Sequence, residues 1–181
     1  WILGANVIKT IFDNIYILTI CKIFSAAQLG FYTKSKQFKS IASEQLSGAI
    51  GLVAFPAFSQ FQDSKEKLKN AVSKFLKHST ILILPILVTL IVVAKPFVLL
   101  LLTNKWEPMI PLLQVFCVVG FLYSLNNIMR QLFIAQGKSN LNFFLTMITN
   151  IFRIINIIIM YRFGVIFIII GEVIVSLLSY F

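Results

Sequence analysis

The chain reads as long apolar runs broken by short polar punctuation. A bilayer core takes about 20 consecutive apolar residues in a helix. Six segments approach that length: residues 2–24, 38–58, 79–102, 109–129, 141–161 and 164–181. The polar breaks between them are short. Gly30 and residues 34–39 mark the first. Residues 62–70 form the second and lead a helix into the third run. Residues 104–111 form the third, with Trp106 placed as an interfacial anchor. Residues 137–140 and 162–164 close the series. Links this short make neighbouring spans antiparallel, so the expected fold is all-α, a polytopic transmembrane helical bundle of about six spans. Pro85 and Pro96 fall in the third run, where each removes a helix hydrogen bond and kinks the span. They read either as tolerated membrane prolines or as a hinge.

Inside several runs the polar positions keep a helical period. In the fifth, Asn142, Thr146, Thr149, Asn150, Arg153 and Asn156 fall within an arc of about 120° at about 100° per residue, with Arg153 at its centre. The other face is Phe, Leu, Ile and Met. Lipid has no use for such a stripe, so it faces other helices or a water-filled cavity. Interhelical hydrogen bonding is one reading. A polar translocation cavity is the other, because a guanidinium near mid-membrane exceeds what packing needs.

The first run repeats the pattern more weakly. Asn6, Lys9, Asp13 and Tyr16 share an arc of about 80°. Lys9 and Asp13 are four apart and within pairing reach. They form either a self-neutralised pair or a cavity wall whose pair opens to take an anion or a proton. In the second run, Ser43, Ser47 and Gly51 make a ridge of small residues for close helix approach, which leaves Glu44 unexplained. The sixth places Glu172, Ser176 and Ser179 on one face, beside Gly171. Glu172 is a counter-ion for Arg153 or a titrating coupling group.

Composition narrows the class. Hydrophobic residues make up 59% and charged residues 12%, against roughly 25% charged in a soluble domain. A soluble fold of this length cannot hide that much apolar surface, and disordered, collagen-like and disulfide-scaffold chains are excluded. The net charge of +10 comes from 16 basic and 6 acidic residues. The basic residues punctuate apolar runs rather than forming a patch, so the expected partner is the lipid bilayer and not nucleic acid. Charge counting does not orient the bundle, since seven basic residues fall on each side. Arg130 enters that count as a charge of the connection after the fourth run. Cys21 and Cys117 have no partner spacing, so neither a disulfide nor a metal site is expected. His78 reads as a solvated residue near an interface. There is no P-loop, paired zinc-ligand motif or nucleophile elbow, so no enzyme, catalytic residue or cofactor is expected. The sequence begins at Trp1 without Met and ends in an apolar run, as expected for a piece of a longer protein.

Four segments together resemble the oligosaccharide flippases. Residues 13–38 (DNIYILTICKIFSAAQLGFYTKSKQF) are similar to an Asp-bearing span leading into LG-x-Y. Residues 55–63 (FPAFSQFQD), followed by KEKL, resemble an FP-x-x-S-x-x-x-D loop entry. Residues 92–117 (VVAKPFVLLLLTNKWEPMIPLLQVFC) resemble PLV-LLLG-x-KW-x-x-x-x-P-L-L-Q, and residues 135–141 (AQGKSNL) a small-residue-G-x-S-x-L turn. Cys21 departs from a frequent Gly, and Lys95 from a frequent acid. The family belongs to the multidrug/oligosaccharidyl-lipid/polysaccharide exporter superfamily, whose members have two six-helix lobes. The resemblance implies that residues 1–181 are the second lobe, that the first lobe of the same chain is a partner, and that residues 62–70 are cytoplasmic. It implies a multi-pass protein of the bacterial inner membrane that moves undecaprenyl-pyrophosphate-linked oligosaccharide for lipopolysaccharide, capsule or exopolysaccharide synthesis. Arg153, Asn150, Asn156 and Lys9 are then the candidate contacts for the anionic head group. Asp13, Glu44 and Glu172 are the candidate coupling or counter-ion groups. A cation-coupled multidrug exporter and a non-transporting membrane scaffold are the competing readings.

Overall fold

The computed structural model describes residues 2–179; the side chains of residues 2, 3, 5, 6 and 9 lie outside that description. Helices account for nearly all of it, and no strand occurs among the described residues. In chain order they are α1 (Ile2–Ile23), α2 (Ala26–Lys39), a π-helical turn (Ser40–Glu44), α3 (Gln45–Gln60), α4 (Lys65–Val92), α5 (Ala94–Leu102), a 3-10 turn (Asn104–Met109), α6 (Ile110–Ala135), α7 (Ser139–Met160), a second 3-10 turn (Tyr161–Phe163) and α8 (Val165–Leu178). Among the described residues, four continuous helical stretches are long and apolar enough to cross a membrane: Ala26–Gln60, Lys65–Val92, Asn104–Ala135 and Ser139–Phe163. The chain folds as a helical membrane bundle.

The first connection lies elsewhere than the polar pattern suggests. Gly30 and Lys34 to Lys39 are inside one helical stretch of 35 residues, and the break falls at Phe24 and Ser25. The cause is local. Ser25 caps α2 with a reciprocal capping box, its hydroxyl accepting from the Gln28 backbone and its own N–H donating to the Gln28 side chain. Of the lysines in that stretch, Lys36 and Lys39 turn inward instead, and Lys39 is buried. Of the two prolines, Pro85 sits within unbroken α4, while the helix yields at Val93. Pro96 has no N–H for the carbonyl of Val92, and its ring crowds that oxygen, so the helix breaks there.

α6 is the hub. It packs against α2, α3, α4, α7 and α8, while α1 reaches the bundle through α7 and α2. Half of the most apolar part of the Asn104–Ala135 stretch is buried, against 17% for that of α4. Two close approaches set the geometry. Gly120 of α6 lies against the side chains of Ser43 and Lys39, and a methyl there would clash with both. Gly171 of α8 lies against the Asn156 amide of α7, which occupies the space a Cβ would need. Ser43 and Ser47, two members of the small-residue ridge, are buried on the face that meets α6. Outward faces are apolar, as at Leu52, Leu100 and Phe144, which suits lipid.

Candidate functional site

The polar face of α7 turns inward as its period predicts. Asn142, Thr146, Asn150 and Asn156 are buried, while Phe144, Ile148, Ile151, Phe152 and Ile155 are exposed. Thr146, Thr149, Asn150 and Arg153 line a cavity of about 190 Å³ whose other walls come from α1, α2, α6 and α8. Asn156 does not line it. Its amide donates to the Ile168 carbonyl at 2.8 Å and joins α7 to α8.

Arg153 is the centre of a charge cluster. One guanidinium nitrogen lies 3.1 Å from Asp13 of α1, and another lies 3.4 Å from Glu172 of α8. Its Nη1 also donates to Asn150 Oδ1 at 3.4 Å. The Tyr16 ring covers it, with the guanidinium carbon 5.0 Å from the ring centroid. Asp13 is shared with Lys36 of α2 at 3.6 Å. Two other helices, α1 and α8, therefore deliver the carboxylates of one arginine on α7. That is the arrangement a buried charge needs, because each unpaired ion would carry a desolvation cost of several kcal/mol. The expected Lys9–Asp13 pair falls outside the described residues on its Lys9 side.

Glu44 belongs to a second pair. It accepts from buried Lys39 and, at 3.1 Å, from the Ser40 hydroxyl. Lys39 and Glu44 are five apart, which in an α-helix would set them about 140° apart. The π-helical turn between them widens the helix and brings them to one face. Lys39 also lies over the Phe116 and Tyr123 rings.

Arg130, like Lys36 and Lys39, is a cavity-lining cation that the sequence pattern does not single out. It stands one position beyond the fourth apolar run and was counted as a connection charge. The helix instead runs on to Ala135, and Arg130 lines the cavity. Its Nη2 donates to the Thr146 hydroxyl at 2.6 Å, and no carboxylate pairs with it among the described residues. The neighbouring amides of α6 serve packing. Asn126 donates to the Ser176 carbonyl and the Ser179 hydroxyl, and Asn127 donates to the carbonyl and hydroxyl of Ser47. No group of three or more His, Cys, Asp or Glu able to hold a metal occurs among the described residues.

An apolar bundle with lipid-facing exteriors around an ion-paired interior defines a multi-pass membrane protein. Residues 1–111 match the family described as "Polysaccharide biosynthesis protein", and the chain belongs to it. It is 33% identical over 143 residues to the lipopolysaccharide biosynthesis protein WzxC of Escherichia coli (strain K12), an alignment that covers 79% of this chain and 29% of that protein. It is 25% identical to the teichuronic acid biosynthesis protein TuaB of Bacillus subtilis (strain 168), over 78% of this chain and 29% of that protein. It is 24% identical to the succinoglycan biosynthesis transport protein ExoT of Rhizobium meliloti (strain 1021), over 61% of this chain and 22% of that protein. The alignments thus span less than a third of these relatives. No solved structure matches the chain.

Proposed function

We propose that the chain is one lobe of a flippase that moves undecaprenyl-pyrophosphate-linked oligosaccharide across the bacterial inner membrane for surface polysaccharide synthesis. The observation that carries this reading is the Arg153 cluster on the wall of an internal cavity. Helix packing alone is satisfied by amides and hydroxyls, as at Asn127 and Ser47. Three charges drawn from three helices into an apolar bundle exceed that need. Membership of a polysaccharide biosynthesis family supports a polysaccharide-linked cargo. In this reading Asp13 and Glu172 hold Arg153 between transport events, and a passing pyrophosphate exchanges with them. Asn150 steadies the guanidinium. No catalytic step is required, and the bilayer and the remainder of the full-length protein complete the pathway.

The test is complementation of a flippase-null strain by the full-length protein, read as surface polysaccharide and normalised to the protein present in the membrane. Restoration is expected. Arg153→Ala should lose most of it, and Arg153→Lys should keep part, since Lys retains the charge but not the planar donor fork. A correctly inserted parent that restores nothing overturns the reading.

A further inference from the structure

We infer that Arg130 is an anion-binding residue of the cavity, selective for a phosphate or pyrophosphate group. The inference deepens the flippase reading and rests on it for the identity of a lipid-borne cargo, though not for the anion site itself. Among the described residues, four cations line the cavity: Lys36, Lys39, Arg130 and Arg153. Three described carboxylates join them: Asp13, Glu44 and Glu172. These seven side chains leave one positive charge in excess. Arg153 and Lys36 share Asp13, Arg153 also holds Glu172, and Lys39 holds Glu44. Among the described residues, Arg130 is the lining cation with no carboxylate.

A guanidinium carries five N–H donors. One of Arg130's meets a protein acceptor among the described residues, the buried Thr146 hydroxyl. That bond anchors the side chain on the α7 wall and aims it into the bundle rather than along the helix towards the bilayer surface. Snorkelling to lipid head groups is the ordinary fate of an arginine near a helix end, and the Thr146 contact opposes it. Neighbouring amides cannot take its place as donors, because Asn126 and Asn127 spend their N–H groups on α8 and α3. A fixed planar fork with spare donors, in a cavity whose described side chains leave one positive charge in excess, fits two oxygens of one phosphate group bidentately. Thr146 and Arg153 are seven residues apart on α7, so Arg130 is held about 10 Å from the neutralised centre, towards the α6–α7 turn. An anion entering from that end meets Arg130 before it meets Arg153.

The experiment is calorimetric titration of the purified full-length protein with farnesyl pyrophosphate, with farnesol and inorganic pyrophosphate as companion probes. The parent should bind farnesyl pyrophosphate and not farnesol. Arg130→Gln should weaken binding by about 10- to 100-fold, the value of a charge-assisted hydrogen bond set. Arg130→Lys should weaken it by less, and Lys67→Gln, an exposed lysine of α4, should leave it unchanged. Equal binding of inorganic pyrophosphate assigns the site to a free anion, and preference for the farnesyl ester assigns it to a lipid-borne one; both sustain the anion site. A parent that binds neither pyrophosphate overturns the inference, as does Arg130→Gln binding as tightly as the parent. If Arg130→Gln does not fold, Arg130→Lys decides, and parental affinity in it overturns the inference of a guanidinium site. Binding that depends on Arg130 in a protein that restores no polysaccharide would sink the flippase reading and leave this site standing. Restoration with Arg130-independent binding does the reverse.

Discussion

Arg153 and Arg130 stand on facing helices of the same cavity and are handled in opposite ways. Arg153 has two carboxylates, an asparagine and an aromatic face around it. Among the described residues, Arg130 has one hydrogen-bonding partner, the Thr146 hydroxyl. Only the first is a closed electrostatic unit. The contrast separates two uses of charge in a membrane bundle. A neutralised centre joins α1, α7 and α8 at rest, and in the proposed cycle it takes an anion only by giving up its own carboxylates. A cation left with spare donors has its strongest partner outside the protein. Burial of a charge alone does not distinguish the two; the list of partners does.

The largest test of that distinction is stability. Arg153→Met should leave Glu172, whose side chain is 6% exposed, without its cation. Breaking a buried pair in this way costs about 3–5 kcal/mol. Adding Glu172→Gln should recover much of the loss, because the carboxylate is then no longer stranded. Arg130→Met should cost no more than about 1.5 kcal/mol, the scale of one hydrogen bond. Unfolding by SDS titration in mixed micelles reads all of these. Equal losses at the two arginines would erase the distinction and make Arg130 a structural residue.

The two arginines were not equally legible. Arg153 was visible because a single helix carries its stripe, and a 3.6-residue period survives in one dimension. Asp13 and Glu172 were visible as ionisable groups in apolar runs, but their convergence on Arg153 is a property of three helices meeting. Asn156 belongs to the same arc as Arg153, yet it lies at the edge of the stripe and closes onto α8. Arg130 and Lys39 were obscured by a different cause. Both lie at the margins of apolar runs, where a charge reads as part of a connection. The continuation of the helix past Met129 and the π-helical turn at Ser40–Glu44 are what carry them inward. A π turn leaves no hydrophobic period to read.

An intermediate effect comes from Gly171, the neighbour of Glu172. Asn156 occupies the space that a Cβ at Gly171 would need. Gly171→Ala should push α8 from α7 and cost about 1–3 kcal/mol, as overpacking does. Gly48→Ala, with open space around it, should show no such loss. The displacement should also lengthen the Arg153–Glu172 contact. Arg153→Met should then cost less in the Gly171→Ala background than in the parent, a coupling measured by a double-mutant cycle. Arg130→Met, which has no partner on α8, should add its full effect in both backgrounds. Additivity at Arg153 would mean that Glu172 reaches it without the close α7–α8 approach.

The smallest expected effect is at Thr146, the hydroxyl that holds Arg130. Thr146 also donates to the Asn142 carbonyl one turn earlier at 2.7 Å. Thr146→Val keeps the branched shape and removes both bonds. The Asn142 carbonyl keeps its place in the helix, so the loss should stay within about 1 kcal/mol. Arg130 should become freer to rotate while its charge and donor count are unchanged. Affinity for farnesyl pyrophosphate should therefore fall only a few-fold, well short of the effect of Arg130→Gln. The same calorimetric titration and the same SDS unfolding curves check both halves. A stability loss as large as that of Arg153→Met would show the Arg130–Thr146 contact to be a structural joint. A complete loss of binding would show that the hydroxyl, and not the excess charge, sets the anion site. Either result would narrow the gap between the two arginines from a different side: the first by giving Arg130 a closed unit of its own, the second by making its position rather than its spare donors decisive.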